Sequence, residues 1–181
     1  MAPTDAARKS GPTRRDPQLL WLAAGLLLVA RIALGVFDAR NPSPGRDLVP
    51  WVPALEAPAQ ARATGRPIFY DFSAEWCAPC KEMERELFSN ERHARGIARL
   101  AVPVHVVDRE KEDGRNTPTV DSLRRAYGVT GFPTLVVTDA DGRLIDKREG
   151  FPGAMDFMQW LGGASVKHEM SRKGRAPFLF P

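Results

Sequence analysis

The sequence predicts an α/β protein: a central mixed β-sheet flanked by helices, preceded by an N-terminal transmembrane helix. Three observations carry this. Strand-length apolar runs alternate with helix-type runs through residues 51–163, and that alternation packs helices against a sheet in layers. Ahead of them, residues 19–37 form an apolar run which, as a helix, reaches about 28 Å, close to a bilayer core. The chain's 2 cysteines stand at the junction between an aromatic, strand-like run and a charged, helix-like one.

Charge sorts the chain in the same way. The net charge is +4, but residues 1–37 hold five basic and two acidic residues while the remainder holds 21 and 20. So near a balance excludes nucleic acid as the reason for the basic character. The N-terminal cluster points instead to membrane targeting.

Residues 1–18 are polar, basic and proline-containing, and no fold is expected there. For Leu19 to Phe37 three readings stay open. We favour a signal anchor, with Arg31 snorkelling to the outer interface. A cleaved signal peptide is the second reading, since Ala33-Leu34-Gly35 offers a cleavage site. A buried helix of the soluble domain is the third. The positive-inside rule places residues 1–18 in the cytoplasm and the rest on the oxidising, periplasmic side. Residues 38–50, with Pro42, Pro44, Gly45 and Pro50, read as a stiff tether.

The domain proper is expected over 51–163. Trp51-Val52 reads as a short first strand and Ala54 to Ala63 as a helix ending at Gly65. Pro67 to Ser73 is the central strand, and Cys77 to about Arg95 a long helix with Pro79 in its first turn, where a missing N–H costs nothing. Ala101 to Val107 is a strand and Asp108 to Thr119 a polar, solvated loop. Thr119 caps a helix running to about Tyr127, closed by Gly128. Thr134 to Thr138 and Arg143 to Glu149 form a hairpin around Asp141-Gly142. Ala154 to Leu161 is the last helix, and the basic residues 164–181 carry no readable fold.

The chemistry lies in Trp76-Cys77-Ala78-Pro79-Cys80. A cysteine at a helix N-terminus meets unpaired N–H groups and the positive end of the helix dipole, both of which favour the thiolate. A second cysteine one turn on can attack a mixed disulfide formed at the first. Other uses of Cys-x-x-Cys fit less well. Zinc needs about four ligands, no second cysteine pair exists, and His93, His105 and His168 are scattered. Lys81 follows Cys80 where a c-type haem site has histidine. A Cu(I) pair has nothing in its support. The residues therefore indicate thiol–disulfide exchange with no metal and no cofactor beyond the Cys77–Cys80 disulfide.

Trp76-Cys-Ala-Pro-Cys80, a carboxylate at Asp71 six residues before Cys77, and Gly131-Phe132-Pro133-Thr134 opening the next-to-last strand together resemble the thioredoxin family. The resemblance covers roughly residues 51–163. It implies a thioredoxin fold, a cis bond before Pro133, and a substrate groove shaped by Trp76, Phe132 and Pro133, with Ala78 and Pro79 tuning the potential. Within the family, Asp71 through Glu84 is most similar to the C-terminal periplasmic domain of the membrane disulfide reductase DsbD, which has acidic residues at both ends of this stretch. Asp71 is then the proton acceptor for Cys80. Glu84, four residues beyond Cys80 on the same helical face, is either a second one or a solvated helix residue.

The chain departs from the family in two places. Thioredoxins carry a lysine near the buried carboxylate, and counting back from Asp108 puts Val104 there. DsbD also has a multi-span electron-conducting domain, so this chain would need a thiol electron donor at the membrane or in the periplasm. The expected activity is reduction of protein disulfides by a membrane-anchored, single-pass protein facing the periplasm. A thiol reductant for cytochrome c assembly, and a non-catalytic binding module such as a copper carrier or holdase, are the alternatives.

Overall fold

The computed structural model describes residues 21, 22, 24–32 and 45–174. The chain divides into two units, Met1–Ser43 and Pro44–Pro181. In the first, residues 24–32 are helical, with Leu26, Leu27, Leu28, Val29 and Ile32 all exposed. Among the described residues no helix is long and apolar enough to cross a membrane. Residues 19, 20, 23 and 33–37 of the expected span, like the expected tail 1–18, lie outside the described residues.

The second unit is built on four strands in the order β2-β1-β3-β4. The central β1 (Ile68–Ala74) is buried along its whole length. It pairs in parallel with β2 (Val102–Asp108) and antiparallel with β3 (Thr134–Thr138), which pairs antiparallel with β4 (Leu144–Glu149). The pleat of β1 feeds two cores. Ile68, Tyr70 and Phe72 face α1 (Ala57–Thr64) and join Val102, Val104, Val106 and Val136. Phe69 faces the other way, with Leu135 and Val137, toward α2 (Ala78–Met83), α3 (Glu91–Leu100) and α6 (Ala154–Gly174). Phe69, Phe72, Phe88 and Phe157 are fully buried, each contributing about 2–3 kcal/mol of apolar burial.

Several sequence expectations are corrected. Trp51-Val52 is not a strand. Pro50 and Pro53 bracket it and remove ladder donors, leaving the bond from Val52 N–H to the Pro103 carbonyl at 2.9 Å. The long helix expected from Cys77 is broken. After α2 the chain widens into one π-helical turn, Glu84–Phe88, where Ser89 N–H reaches back to the Glu84 carbonyl at 2.9 Å. Asn90 then caps α3 by accepting from the N–H groups of Arg92 and His93.

The polar loop contains a short helix, α4 (Glu110–Asp113). The cap of α5 (Pro118–Ala126) is Thr117, not Thr119, with Pro118 as the first helical residue. The last helix runs on through residues expected to lack a fold, to Gly174. Phe157, Leu161, Ala164 and His168 repeat at helical spacing and are all buried, which outweighs the cost of about 1 kcal/mol for each of Gly162 and Gly163.

Candidate active site

β1 delivers the chain to the sheet's end at Ala74, and Cys77 starts α2 from an extended backbone. Cys77 N–H donates to the Ala74 carbonyl at 3.0 Å, and Cys77 Sγ accepts from the Cys80 N–H at 3.2 Å. The sulfur of Cys77 therefore occupies the N-cap position, where a backbone donor is already aimed at it. Cys77 and Cys80 form a disulfide with a Cα–Cα distance of 5.3 Å. Both cysteines are nearly covered, while Ala78 and Pro79 between them are exposed.

The bond between Phe132 and Pro133 is cis, just ahead of β3. Phe132 packs on Ala74, Cys77 and Cys80, and its ring meets Trp76 edge-to-face at 5.9 Å. Trp76 is half exposed, with Lys111 Nζ of α4 resting 3.6 Å over its ring. The structure thus brings together Cys77, Cys80, Trp76, Phe132 and Pro133.

Around β1, the strand that leads to the disulfide, lies an ionisable cluster that the sequence reading saw only in part. Asp71 is fully buried, and among the described residues neither of its carboxylate oxygens has a hydrogen-bond partner. Burial raises its pKa well above the usual carboxylate range, and the charges of Glu84 and Asp47 push the same way. Glu84 opens the π turn, only partly buried, and its pKa is raised by burial and by Asp47. Sequence reasoning missed His105. The parallel register sets Asp71 beside His105, not Val104. Val104 pairs with Tyr70 and belongs to the opposite core, so the expectation that it stands beside the carboxylate is corrected.

His105 Nε2 lies 3.4 Å from Asp71 Oδ2 and 2.7 Å from Ser73 Oγ. Burial lowers the His105 pKa, against the charge of Asp47. Opposite charges at 3.4 Å would form an ion pair. Burial works against the charged form of each group and so opposes a standing ion pair at this contact. Asp47 comes from residues 45–52, which lie against the site: Leu48 N–H donates to the Phe88 carbonyl at 2.8 Å, and Trp51 packs on His105 at 4.9 Å. The signal for His105 was present in the alternation of β2, but choosing it over Val104 requires the register between strands.

A disulfide-forming pair three residues apart on a helix start, together with a cis-proline leading into an interior strand of a mixed sheet, defines a thiol-exchange fold of the thioredoxin class. A family model described as a thioredoxin-like domain matches residues 55–165, and the chain belongs to that family. Among curated relatives, the "Thiol:disulfide interchange protein DsbD" of Yersinia enterocolitica is 33% identical over 153 residues, 80% of this chain and 25% of the relative. The protein of the same name from Ralstonia nicotianae is 35% identical over 117 residues, 62% of this chain and 18% of the relative. The chain thus spans about a quarter of the length of the curated relatives it matches. Among solved structures, a thioredoxin from Thermus thermophilus is 25% identical with a TM-score of 0.57, covering 73% of this chain and 98% of its own. A structure titled DsbH oxidoreductase shares the fold at 22% identity, with a TM-score of 0.58 over 69% of this chain and 89% of its own.

Proposed function

We propose that the chain is a membrane-tethered thiol–disulfide oxidoreductase that reduces disulfides in other proteins on the periplasmic side of a bacterial inner membrane. The observation that carries the reading is the Cys77–Cys80 disulfide at the start of α2 beside the cis Phe132–Pro133 bond. The DsbD relatives support the direction. The basic N-terminus and the exposed leucines of the 24–32 helix support the tether.

In this reading the reduced chain begins as a Cys77 thiolate, held by the Cys80 N–H and the start of the helix. It attacks a substrate disulfide. One substrate sulfur leaves as a thiolate and takes a proton, and Cys77 is left in a mixed disulfide. Cys80 then passes its thiol proton to the Asp71 carboxylate, with Glu84 coupled to that group, and attacks the Cys77 sulfur. The bond between Cys77 and the substrate breaks, the second substrate sulfur leaves, and the Cys77–Cys80 disulfide forms. Two electrons have moved to the substrate. A thiol donor at the membrane or in the periplasm returns them. The dithiol is the only redox group required. Trp76, Phe132 and Pro133 shape the groove for the substrate chain, and Ala78 and Pro79 set the potential.

The reduction potential of the chain, equilibrated with glutathione, tests the direction. A value at or below about −230 mV is expected, and one near about −120 mV would make the chain an oxidant and sink the reductase reading. Cys80→Ser should accumulate mixed disulfides through Cys77, whereas a module that only binds would trap none.

A further inference from the structure

We propose that His105 is a positioning residue that acts through Asp71, carrying the proton of that buried carboxyl to and from solvent while Cys80 attacks. This rests on the exchange chemistry proposed above. Asp71 must hold a proton in one half of the cycle and release it in the other, yet it is sealed from water and neither oxygen has a hydrogen-bond partner among the described residues. A buried polar group without a hydrogen bond costs free energy, and one that persists calls for a use. His105 Nε2, at 3.4 Å, is placed to do so.

The histidine meets the requirements of a relay from two sides. Its side chain is 22% exposed against 0% for Asp71, so it reaches water where the carboxyl does not. The parallel register fixes the two residues side by side on adjacent strands, and Trp51 at 4.9 Å and Phe88 at 6.4 Å hold the ring in place. Ser73 Oγ, 2.7 Å from Nε2, suits both protonation states. A hydroxyl donates to Nε2 when the nitrogen is bare and accepts from it once protonated. The charged groups acting on the pair are Asp47, from the 45–52 segment, on both members, and Glu84, from the π turn, on Asp71.

Each step balances. The neutral Asp71 carboxyl gives its proton to Nε2, leaving a carboxylate and an imidazolium. The imidazolium loses a proton to water. The carboxylate then accepts the Cys80 thiol proton as the Cys80 sulfur attacks Cys77. Re-reduction runs the same transfers backward.

The test uses the full reduced chain with dithiobis(nitrobenzoate) as the disulfide probe. Attack by Cys77 releases a first coloured thiolate, and attack by Cys80 releases a second. His105→Gln should leave the first phase unchanged, slow the second about 10-fold at neutral pH and flatten its pH profile. A purely structural histidine, holding Ser73 and Trp51, would leave that profile's shape unaltered. A parent chain releasing both equivalents, with His105→Gln matching it in rate and pH profile, would overturn the relay alone. A parent releasing no second equivalent would overturn the exchange reading and the relay with it. Because His105→Gln could disturb folding, the parent provides a second measurement. The Asp71 carboxyl and the His105 ring, followed by NMR across pH, should each show the other's titration midpoint in its own curve. Two independent curves would overturn the relay.

Discussion

Asp71 and Asp108 are both aspartates of the central parallel pair of strands, both withdrawn from water, and the fold treats them in opposite ways. Asp108, at the end of β2, accepts from Glu110 N–H at 3.2 Å, from Asn116 Nδ2 at 2.7 Å and from Arg124. Asp71, in the middle of β1, accepts from none of the described residues. The same carboxylate is thus a structural joint at one place and an energetic liability at the other. A joint pins the start of α4 and α5 to the sheet. A liability persists where its chemistry is used, since an unsatisfied buried carboxyl costs about 1–3 kcal/mol. The contrast extends outward. Around α4 charges pair freely at the surface, with Arg109 bonded to Glu75 and Asp113, whereas the charges around Asp71 are like charges that repel it.

The largest effect that would sharpen this contrast is expected from Asp71→Asn. Exchange turnover should fall about 100-fold, while the folded state becomes more stable to urea at neutral pH because an amide has no proton to lose on unfolding. Loss of stability with full activity would reverse the assignment of the two aspartates. Asp108→Ala should do the opposite, costing about 2–3 kcal/mol because Arg124 and Asn116 lose their acceptor in a largely covered site, with turnover within about twofold of the parent.

Acidity gives a third and smaller test. Below about pH 4 both the folded and the unfolded chain keep the Asp71 proton, so its contribution is fully present. As pH rises the unfolded chain releases that proton first, and the contribution is lost up through the raised folded pKa. The stability difference between Asp71→Asn and the parent should therefore be smallest below about pH 4 and widen with rising pH. His105 works in the other sense. Its lowered pKa adds stability above about pH 6.5, which is lost as pH falls through the folded value. Denaturation series on the parent, Asp71→Asn and His105→Gln separate the two slopes. The smallest effect is expected from Arg109→Ala. Its partners are exposed and solvated, so the melting temperature should not move measurably.

Sequence and structure agree best where chemistry is written in adjacent residues. Trp76 through Cys80 were legible from local spacing, and the Phe132-Pro133 step through the resemblance to the thioredoxin family. Asp71 was legible as a carboxylate inside an apolar strand. His105 was not, because a neighbour across a parallel ladder is set by register, and miscounting by one residue selects Val104 on the opposite face. The π turn was hidden because Glu84 through Phe88 is ordinary helix sequence; the wide turn is closed by Ser89 donating to the Glu84 carbonyl through both its N–H and its Oγ. The full length of α6 was missed because Gly162-Gly163 interrupt a buried face that resumes at Ala164 and His168.

The stretch that lies against the carboxyl pocket has a consequence for how portable this unit is. Asp47 and Trp51 precede the family match, which begins at residue 55, yet one adds a like charge acting on Asp71 and the other packs on His105. A side chain at Gly45 would run into Ser89, so the chain is already packed onto the fold that early. A fragment trimmed to the family boundary, or a fusion spliced there, would inherit both cysteines and the cis-proline. It would leave behind one of the like charges acting on Asp71 and the ring packed on His105. Gene rearrangements that shuffle this module between carriers would thus carry the sulfur pair whole while altering part of what surrounds its buried acid.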